Sequence, residues 1–287
     1  SITLTNTLAD GARVERNLNY TQICGDGKWI VMSNKDFLLK NREDGSVAKF
    51  VTEEDYYNHI DMSSDGTLVL YESVTNSHSA VFLYDRITNS QRTIEMGHYG
   101  SGTGDGCHVM SGEGAISGDG STIVYQTEDY TIVDDPGGGH AKSNMSRSVY
   151  VCKNGSTSRL LLKSSYADFG YDYLGVINFS VSYDGRYFVH RDEKGQIKLW
   201  DLKTGTSEIV SISTLGEQAN GKCWGTGISA NGRYVVFYSA ASNLVPNDTN
   251  GKFDVFLRDR TTGKTTLVST NIAGNSSTER ANGAIDS

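Results

Sequence analysis

The sequence predicts an all-β propeller built from four-stranded antiparallel blades. Three observations carry the prediction: one phrase recurs five times, a second hairpin follows each copy, and no segment keeps a helical period. The copies are "ICGDGKWIVMS" (23–33), "MSSDGTLVLYES" (62–73), "ISGDGSTIVYQT" (116–127), "VSYDGRYFVHRD" (181–192) and "ISANGRYVVFYS" (228–239). Each reads as an apolar strand end, a Ser-like position, an Asp-Gly or Asn-Gly turn, and then a strand. Such dipeptides favour two-residue hairpin turns whose central positions take positive φ.

The second hairpins are "FLLKNREDGSVAKFV" (37–51), "VFLYDRITNSQRTI" (81–94), "VYVCKNGSTSRLLL" (149–162), "IKLWDLKTGTSEIV" (197–210) and "VFLRDRTTGKTTLV" (255–268). Each repeat is therefore four short strands, a to d. The first turns fall at Asp26, Asp65, Asp119, Asp184 and Asn231, spaced 39, 54, 65 and 47 residues apart. Four strands at a period of roughly 40–50 residues describe a propeller blade. One such sheet cannot hide both of its faces alone, so neighbours must stack. The apolar run Tyr234–Tyr238 then reads as a strand covered on both sides.

The repeats cover 17–51, 57–95, 107–162, 174–211 and 222–270 of one propeller domain, 1–287. "SITLTNTLADG" (1–11) lines up with "KTTLVSTNIAG" (264–274), so the chain opens on a strand d. "ANGAIDS" (281–287) reads as a strand a that stops short of its turn. The terminal strands 1–10 and 281–287 belong to a partial sixth blade, to the edges of a five-bladed ring, or to a fragment of a longer protein.

Composition agrees with a β fold and narrows the partners. There are 32 Gly and 16 Tyr but only 2 Pro, and 287 residues can bury a sizeable core. A net charge of −8 argues against nucleic acid, which needs clustered Lys and Arg. No apolar stretch approaches the ~20 residues that span a bilayer. The start at Ser1 rather than Met predicts that a leader or upstream sequence has been removed. Cys24, Cys107, Cys152 and Cys223 have no CxxC spacing, which argues against a standard structural zinc site and leaves disulfides and free buried thiols both open.

The phrase S-x-D-G-(polar)-(apolar), with the following "DVFLRDRTTGKTTLVS", resembles the TolB-like, WD40-like (PD40-type) propeller repeat of bacterial envelope and secreted proteins. The resemblance covers about 17–270 and is strongest in the fifth repeat. The family's Pro between Ser and Asp is absent: Gly25, Ser64, Gly118, Tyr183 and Ala230 stand there. The resemblance implies a rigid scaffold that is extracellular, periplasmic or on the cell surface, serves protein or glycan interaction, and has no universal catalytic residue.

In such a blade the a–b and c–d turns lie on one face, and these are uniformly tight. The other face takes the long insertions, 128–147 and 240–253 as b–c loops and 95–114 and 163–176 as crossovers. Loops on a rigid scaffold are where binding usually resides. "SSYADFGYDYLG" (164–175) sets Tyr166, Tyr171 and Tyr173 among Asp168 and Asp172, and Tyr56, Tyr57, His59 and Trp224 enter the same face. Aromatic faces beside carboxylates suit a sugar ring; the same rings would also serve to plug a channel mouth.

Two metal readings arise. His98, Cys107 and His108 in "GHYGSGTGDGCHVMSGEG" (97–114) are transition-metal ligand types at no standard spacing, in what reads as a glycine-rich surface loop. By resemblance to lyases on TolB-like propellers, His59, His98, His108 and His140 would converge on a metal. Asp248, Asn250 and Asp254 around Gly251 offer oxygens for calcium, without EF-hand spacing. The leading expectation is a non-catalytic extracytoplasmic module that binds a glycan or protein. The alternatives are a polysaccharide lyase or hydrolase with a metal-assisted site at the channel mouth, and a structural repeat segment of a larger surface protein.

Overall fold

The computed structural model describes residues 20–33, 37–49, 56–74, 78–98, 106–133, 142–156, 158–166, 179–246 and 248–270. Among them the fold is an all-β propeller of five four-stranded antiparallel blades, with no helix. The terminal strands expected at 1–10 and 281–287 lie outside the described residues. The chain divides into two compact units, Ser1–Asp168 and Phe169–Ser287.

The first unit holds three blades. Blade one is β1 (Tyr20–Ile23), β2 (Trp29–Ser33), β3 (Phe37–Asn41) and β4 (Val47–Lys49). Blade two is β5 (Tyr56–Met62), β6 (Leu68–Val74), β7 (His78–Asp85) and β8 (Ser90–His98). Blade three is β9 (Gly106–Ile116), β10 (Thr122–Val133), β11 (Lys142–Lys153) and β12 (Arg159–Tyr166). The second unit holds blade four, β13 (Ser180–Val181) to β16 (Thr206–Ile209) by way of β14 (Tyr187–Arg191) and β15 (Ile197–Asp201). Blade five is β17 (Cys223–Ile228), β18 (Tyr234–Ser239), β19 (Asp254–Asp259) and β20 (Lys264–Leu267). Every strand pairs with its sequence neighbour in the order a-b-c-d.

Strand alternation sends side chains into two different cores. On β6, Val69 and Tyr71 pack with Val31, Phe37 and Leu39 of blade one, while Leu70 packs with Ile116, Ile123 and Tyr125 of blade three. Val189 and Leu199 of blade four meet Cys223, Val235 and Phe237 of blade five in the same way. Coverage on both faces holds for β10, whose residues Thr122–Thr127 are all buried. In β18 the burial alternates instead: Val235 and Phe237 are buried, and Tyr234, Val236 and Tyr238 are half-buried.

The recurring phrase builds one turn five times, and it differs from the two-residue hairpin expected. In blade two the Ser63 N–H donates to Leu68 O, which leaves four residues in the loop, and Gly66 N–H donates to Ser63 O. Only the glycine has positive φ, +67° at Gly66, and Asp65 does not. The reason lies in the side chains. Asp65 Oδ1 accepts from Ser63 Oγ at 2.7 Å and from Thr67 N–H at 2.9 Å, an Asx arrangement that holds aspartate in ordinary φ. Ser63 Oγ in turn accepts from Leu68 N–H at 2.9 Å. Ser117–Asp119, Ser182–Asp184 and Ser229–Asn231 repeat it. In blade one Cys24 Sγ stands in for the hydroxyl, 2.8 Å from Asp26 Oδ1.

These turns also join blades. A Cβ on Gly66 would lie 2.8 Å from Trp29 of the preceding blade, and one on Gly232 would strike the Tyr187 ring. Arg86 donates to Gly66 O and lies 4.1 Å over Trp29; Arg260 donates to Gly232 O and lies 4.5 Å over Tyr187. Asp61 adds a side-chain link from blade two to blade three, accepting the Ile116 N–H at 2.8 Å, and its desolvation pushes the carboxyl up to about 6.

Two stretches expected to be loops are largely strand. β10 and β11 stay paired from Thr122↔Lys153 to Val133↔Lys142, so much of 128–147 is an extended hairpin. β8 runs to His98 and β9 starts at Gly106, which takes up most of 95–114. Glycines at 97, 100, 102, 104 and 106 and polar residues such as Glu128, Asp129, Lys142 and Asn144 break the apolar pattern, which hid these extensions. The 240–253 segment is a b–c loop as read. Cys24, Cys152 and Cys223 are free, buried thiols, which settles for them the choice the spacing left open.

If the glycine contact joins blades four and five, Gly232→Ala suffers both the positive-φ cost and the collision with Tyr187. We expect it to lose about 3 kcal/mol in urea denaturation. Gly205→Ala, at φ +74° with nothing within 4 Å of its Cβ, should lose only about 1 kcal/mol. Equal losses would show that the contact between blades contributes nothing.

Candidate functional site

The best-defined cluster at the loop-rich end is built around Trp224, at the start of β17. The β17–β18 register shifts between Trp224 and Thr226, so Gly225 bulges out at φ +55°. A Cβ there would run into the Tyr238 ring, with Cδ1 only 2.7 Å away. Glycine thus lets Trp224 lie along Tyr238, with centroids 6.1 Å apart and planes 11° from parallel. Phe253, at the end of the b–c loop, stands edge-on to both rings at 5.0 and 6.0 Å. The guanidinium of Arg191, from the end of β14, lies 4.7 Å from the Trp224 centroid. All three rings are half-buried, so they keep surface for a ligand, and Arg191 is buried.

Behind Phe253 sits the loop proposed for calcium. Asp254 is fully buried; its Oδ2 accepts from Asn250 Nδ2 at 2.7 Å and its Oδ1 from Ser269 Oγ at 2.6 Å. Asn250 Oδ1 accepts from the Lys252 N–H at 2.7 Å. Asp248 is also buried, and desolvation, then the charge of Asp254, raises its carboxyl above the usual range. As arranged, Asn250 turns an N–H toward Asp254, where a calcium ligand presents oxygen, and the polar groups close the loop beneath Phe253.

His190 supports the cluster from the other face of β14. Its Nδ1–H donates to Arg191 O at 2.9 Å, and its Nε2 accepts from Trp200 Nε1–H at 3.2 Å. The ring stacks on Phe188 at 5.2 Å. Both nitrogens are satisfied only in the neutral form, and burial pushes the imidazole down to about 4.

The other expected site residues are distributed as follows. Tyr56 and Tyr57 pair with Val74 and Ser73 at the start of β5, and His59 falls in the bulge between Tyr57 and Ile60. Tyr166 ends β12, opposite Met145. Asp168, Tyr171, Asp172, Tyr173 and His140 lie outside the described residues. Sequence reasoning found Trp224 but missed Tyr238, Phe253 and Arg191. A glycine directly after Trp224 inside a strand was the available signal, since it marks a bulge.

No protein-family model and no curated protein matches the sequence. Among solved structures, the putative TolB from Agrobacterium tumefaciens is 17% identical, covers 89% of this chain and 82% of that chain, and superposes with a TM-score of 0.50. The shared fold is a β-propeller. An oligogalacturonate lyase in complex with manganese is 13% identical, with 88% of this chain and 65% of that chain covered, at a TM-score of 0.51. TolB from Acinetobacter baumannii is 14% identical at a TM-score of 0.46; 88% of this chain is covered but only 52% of that one, so the chain spans about half its length. Among the described residues, no helix is long and apolar enough to cross a membrane.

The environment of His190 sets a pH dependence. Below pH 6.5 the unfolded chain takes up a proton that the folded chain refuses down to about pH 4. Stability is therefore present above the unfolded value and is lost as pH falls through this window, by about 3 kcal/mol. Asp61 shifts the opposite way, so the measurement is a difference. The stability advantage of wild type over His190→Gln in urea denaturation should shrink by that amount between pH 7 and 4. Parallel pH profiles would mean that His190 titrates normally.

Proposed function

We propose that the chain is a non-catalytic, extracytoplasmic binding module that takes a glycan on the Trp224–Tyr238 ledge. The observation that carries this reading is the near-parallel, half-buried ring pair, backed by Phe253 and Arg191 on a rigid blade. Flat aromatic surface of this kind stacks on the C–H face of a sugar, and polar neighbours take up its hydroxyls. The resemblance of the repeat to envelope and secreted propellers supports a place outside the cytoplasm. A protein ligand is the alternative occupant of the same ledge.

The test is calorimetric titration of the full chain with neutral and uronic-acid oligosaccharides. Trp224→Ala should weaken binding by about tenfold or more. It should cost far less stability than the 3–5 kcal/mol typical of truncating a buried aromatic such as Phe237. Binding unchanged in Trp224→Ala removes the ledge from the reading. Turnover of a uronic-acid polysaccharide in the presence of divalent metal would replace the module with an enzyme.

A further inference from the structure

The outward face of blade five continues past the Trp224–Tyr238 pair. Cys223, Ser239 and Ala241 are buried, while Lys222, Ala240, Asn220 and Ser242 are exposed. The Ala240 N–H donates to Lys222 O, which carries the β17–β18 register one rung beyond Cys223↔Ser239. Lys222 thus follows Trp224 on the same face, about 7 Å along the strand. Beyond it, Asn220 Nδ2 donates to Ser242 Oγ at 3.1 Å, and Asn220 Oδ1 accepts the Ser242 N–H at 3.0 Å. Those bonds tie the crossover to the b–c loop, so Lys222 stands on fixed backbone. Among Trp224, Tyr238, Lys222, Ala240, Asn220 and Ser242, only Lys222 is charged.

We infer that the ledge selects an acidic sugar, whose carboxylate or sulfate meets Lys222 while a ring of the same glycan lies on Trp224. The inference rests on the glycan reading of the ledge and adds the charge of its ligand. A second cation stands beside the first. A Cβ on Gly195, in the b–c turn of blade four, would lie 3.2 Å from Arg191 Nη2 and 3.4 Å from Lys222 Cγ. The glycine therefore leaves room for two basic side chains against one backbone atom. Arg191 also lies 4.7 Å from the Trp224 centroid, so positive charge borders the stacking surface itself. Asp192 is committed to the turn: its Oδ1 accepts the N–H groups of Lys194 at 3.0 Å and Gln196 at 2.8 Å. Glu193 is exposed in the same turn, beside the equally exposed Lys194. Asp248 and Asp254 are buried with the loop beneath Phe253. An anion at the exposed end of the strip thus meets two cations at short range. The chain's net charge of −8 is spread over its whole surface, and salt screens charges more than about 8–10 Å away.

The experiment is calorimetric titration of the full chain with three oligosaccharides of equal length, one neutral, one of uronic acid and one sulfated. At least one acidic glycan should bind about fivefold to tenfold tighter than the neutral one. Comparing the two acids tells carboxylate from sulfate. Raising NaCl from about 50 to 500 mM should remove most of that preference. Lys222→Gln should abolish it, and Lys222→Arg, which keeps the charge, should retain it. The inference is overturned if the neutral glycan binds as tightly as both acidic ones, or if Lys222→Gln keeps the preference. In either case the ledge itself stands as long as Trp224→Ala weakens neutral and acidic binding alike. If none of the three binds, or Trp224→Ala changes nothing, the glycan reading fails and the inference falls with it.

Discussion

Within each unit, the glycine of one blade's first turn lies against the first residue of the preceding blade's second strand. Gly66 meets Trp29, Gly120 meets Leu68 and Gly232 meets Tyr187. The position demands a residue with no Cβ for two separate reasons, positive φ and close approach. The Ser-Asp hydrogen bonds hold the turn that carries that glycine, and at Gly66 and Gly232 an arginine after strand c, Arg86 or Arg260, covers the contact by bonding the glycine carbonyl. This explains why the phrase tolerates cysteine for serine in blade one: Cys24 Sγ both donates to Asp26 and accepts from Trp29 N–H, as the hydroxyl does elsewhere. Positive φ at Gly27, Gly66, Gly120, Gly185 and Gly232 accounts for the glycine in all five copies.

A second link accounts for the missing proline. The Ser64 N–H donates to Gly118 O at 2.9 Å, and the Tyr183 N–H donates to Ala230 O at 3.1 Å. Both donors occupy the position where S-P-D-G repeats carry proline, which has no N–H to give. In these blades the backbone of one turn is tied directly to the next. A residue other than proline at this position therefore exchanges a stiffened turn for a hydrogen bond between blades.

Local pattern explains which features were legible in the sequence. The turn dipeptides and apolar runs repeat with the blade, so strand order and the 240–253 loop could be read directly. The turn type could not, because it is decided by side-chain bonds between Ser63 and Asp65 rather than by the Asp-Gly dipeptide itself. The extensions of β8 to β11 were missed for a related reason: polar residues such as Glu128, Asp129 and Ser143 interrupt the apolar pattern, and only cross-strand pairing makes them strand. Tyr238, Phe253 and Arg191 are 14, 29 and 33 residues from Trp224. No spacing rule unites them, since the bulge at Gly225 creates the contact.

The two ends of the blades are therefore under different constraints. At the a–b end, the glycine, the serine hydroxyl and the turn backbone are committed to the junctions, so a substitution there is felt by two blades. At the b–c end the strands have already left their shared cores, and length and composition can vary without opening a junction. Blade three uses that freedom to lengthen β10 and β11 to 12 residues each. Blade five keeps short strands and instead folds its b–c loop so that Phe253 braces Trp224 and Tyr238. One repeat thus yields two unlike surfaces, because the junction constrains only the other end of the blade.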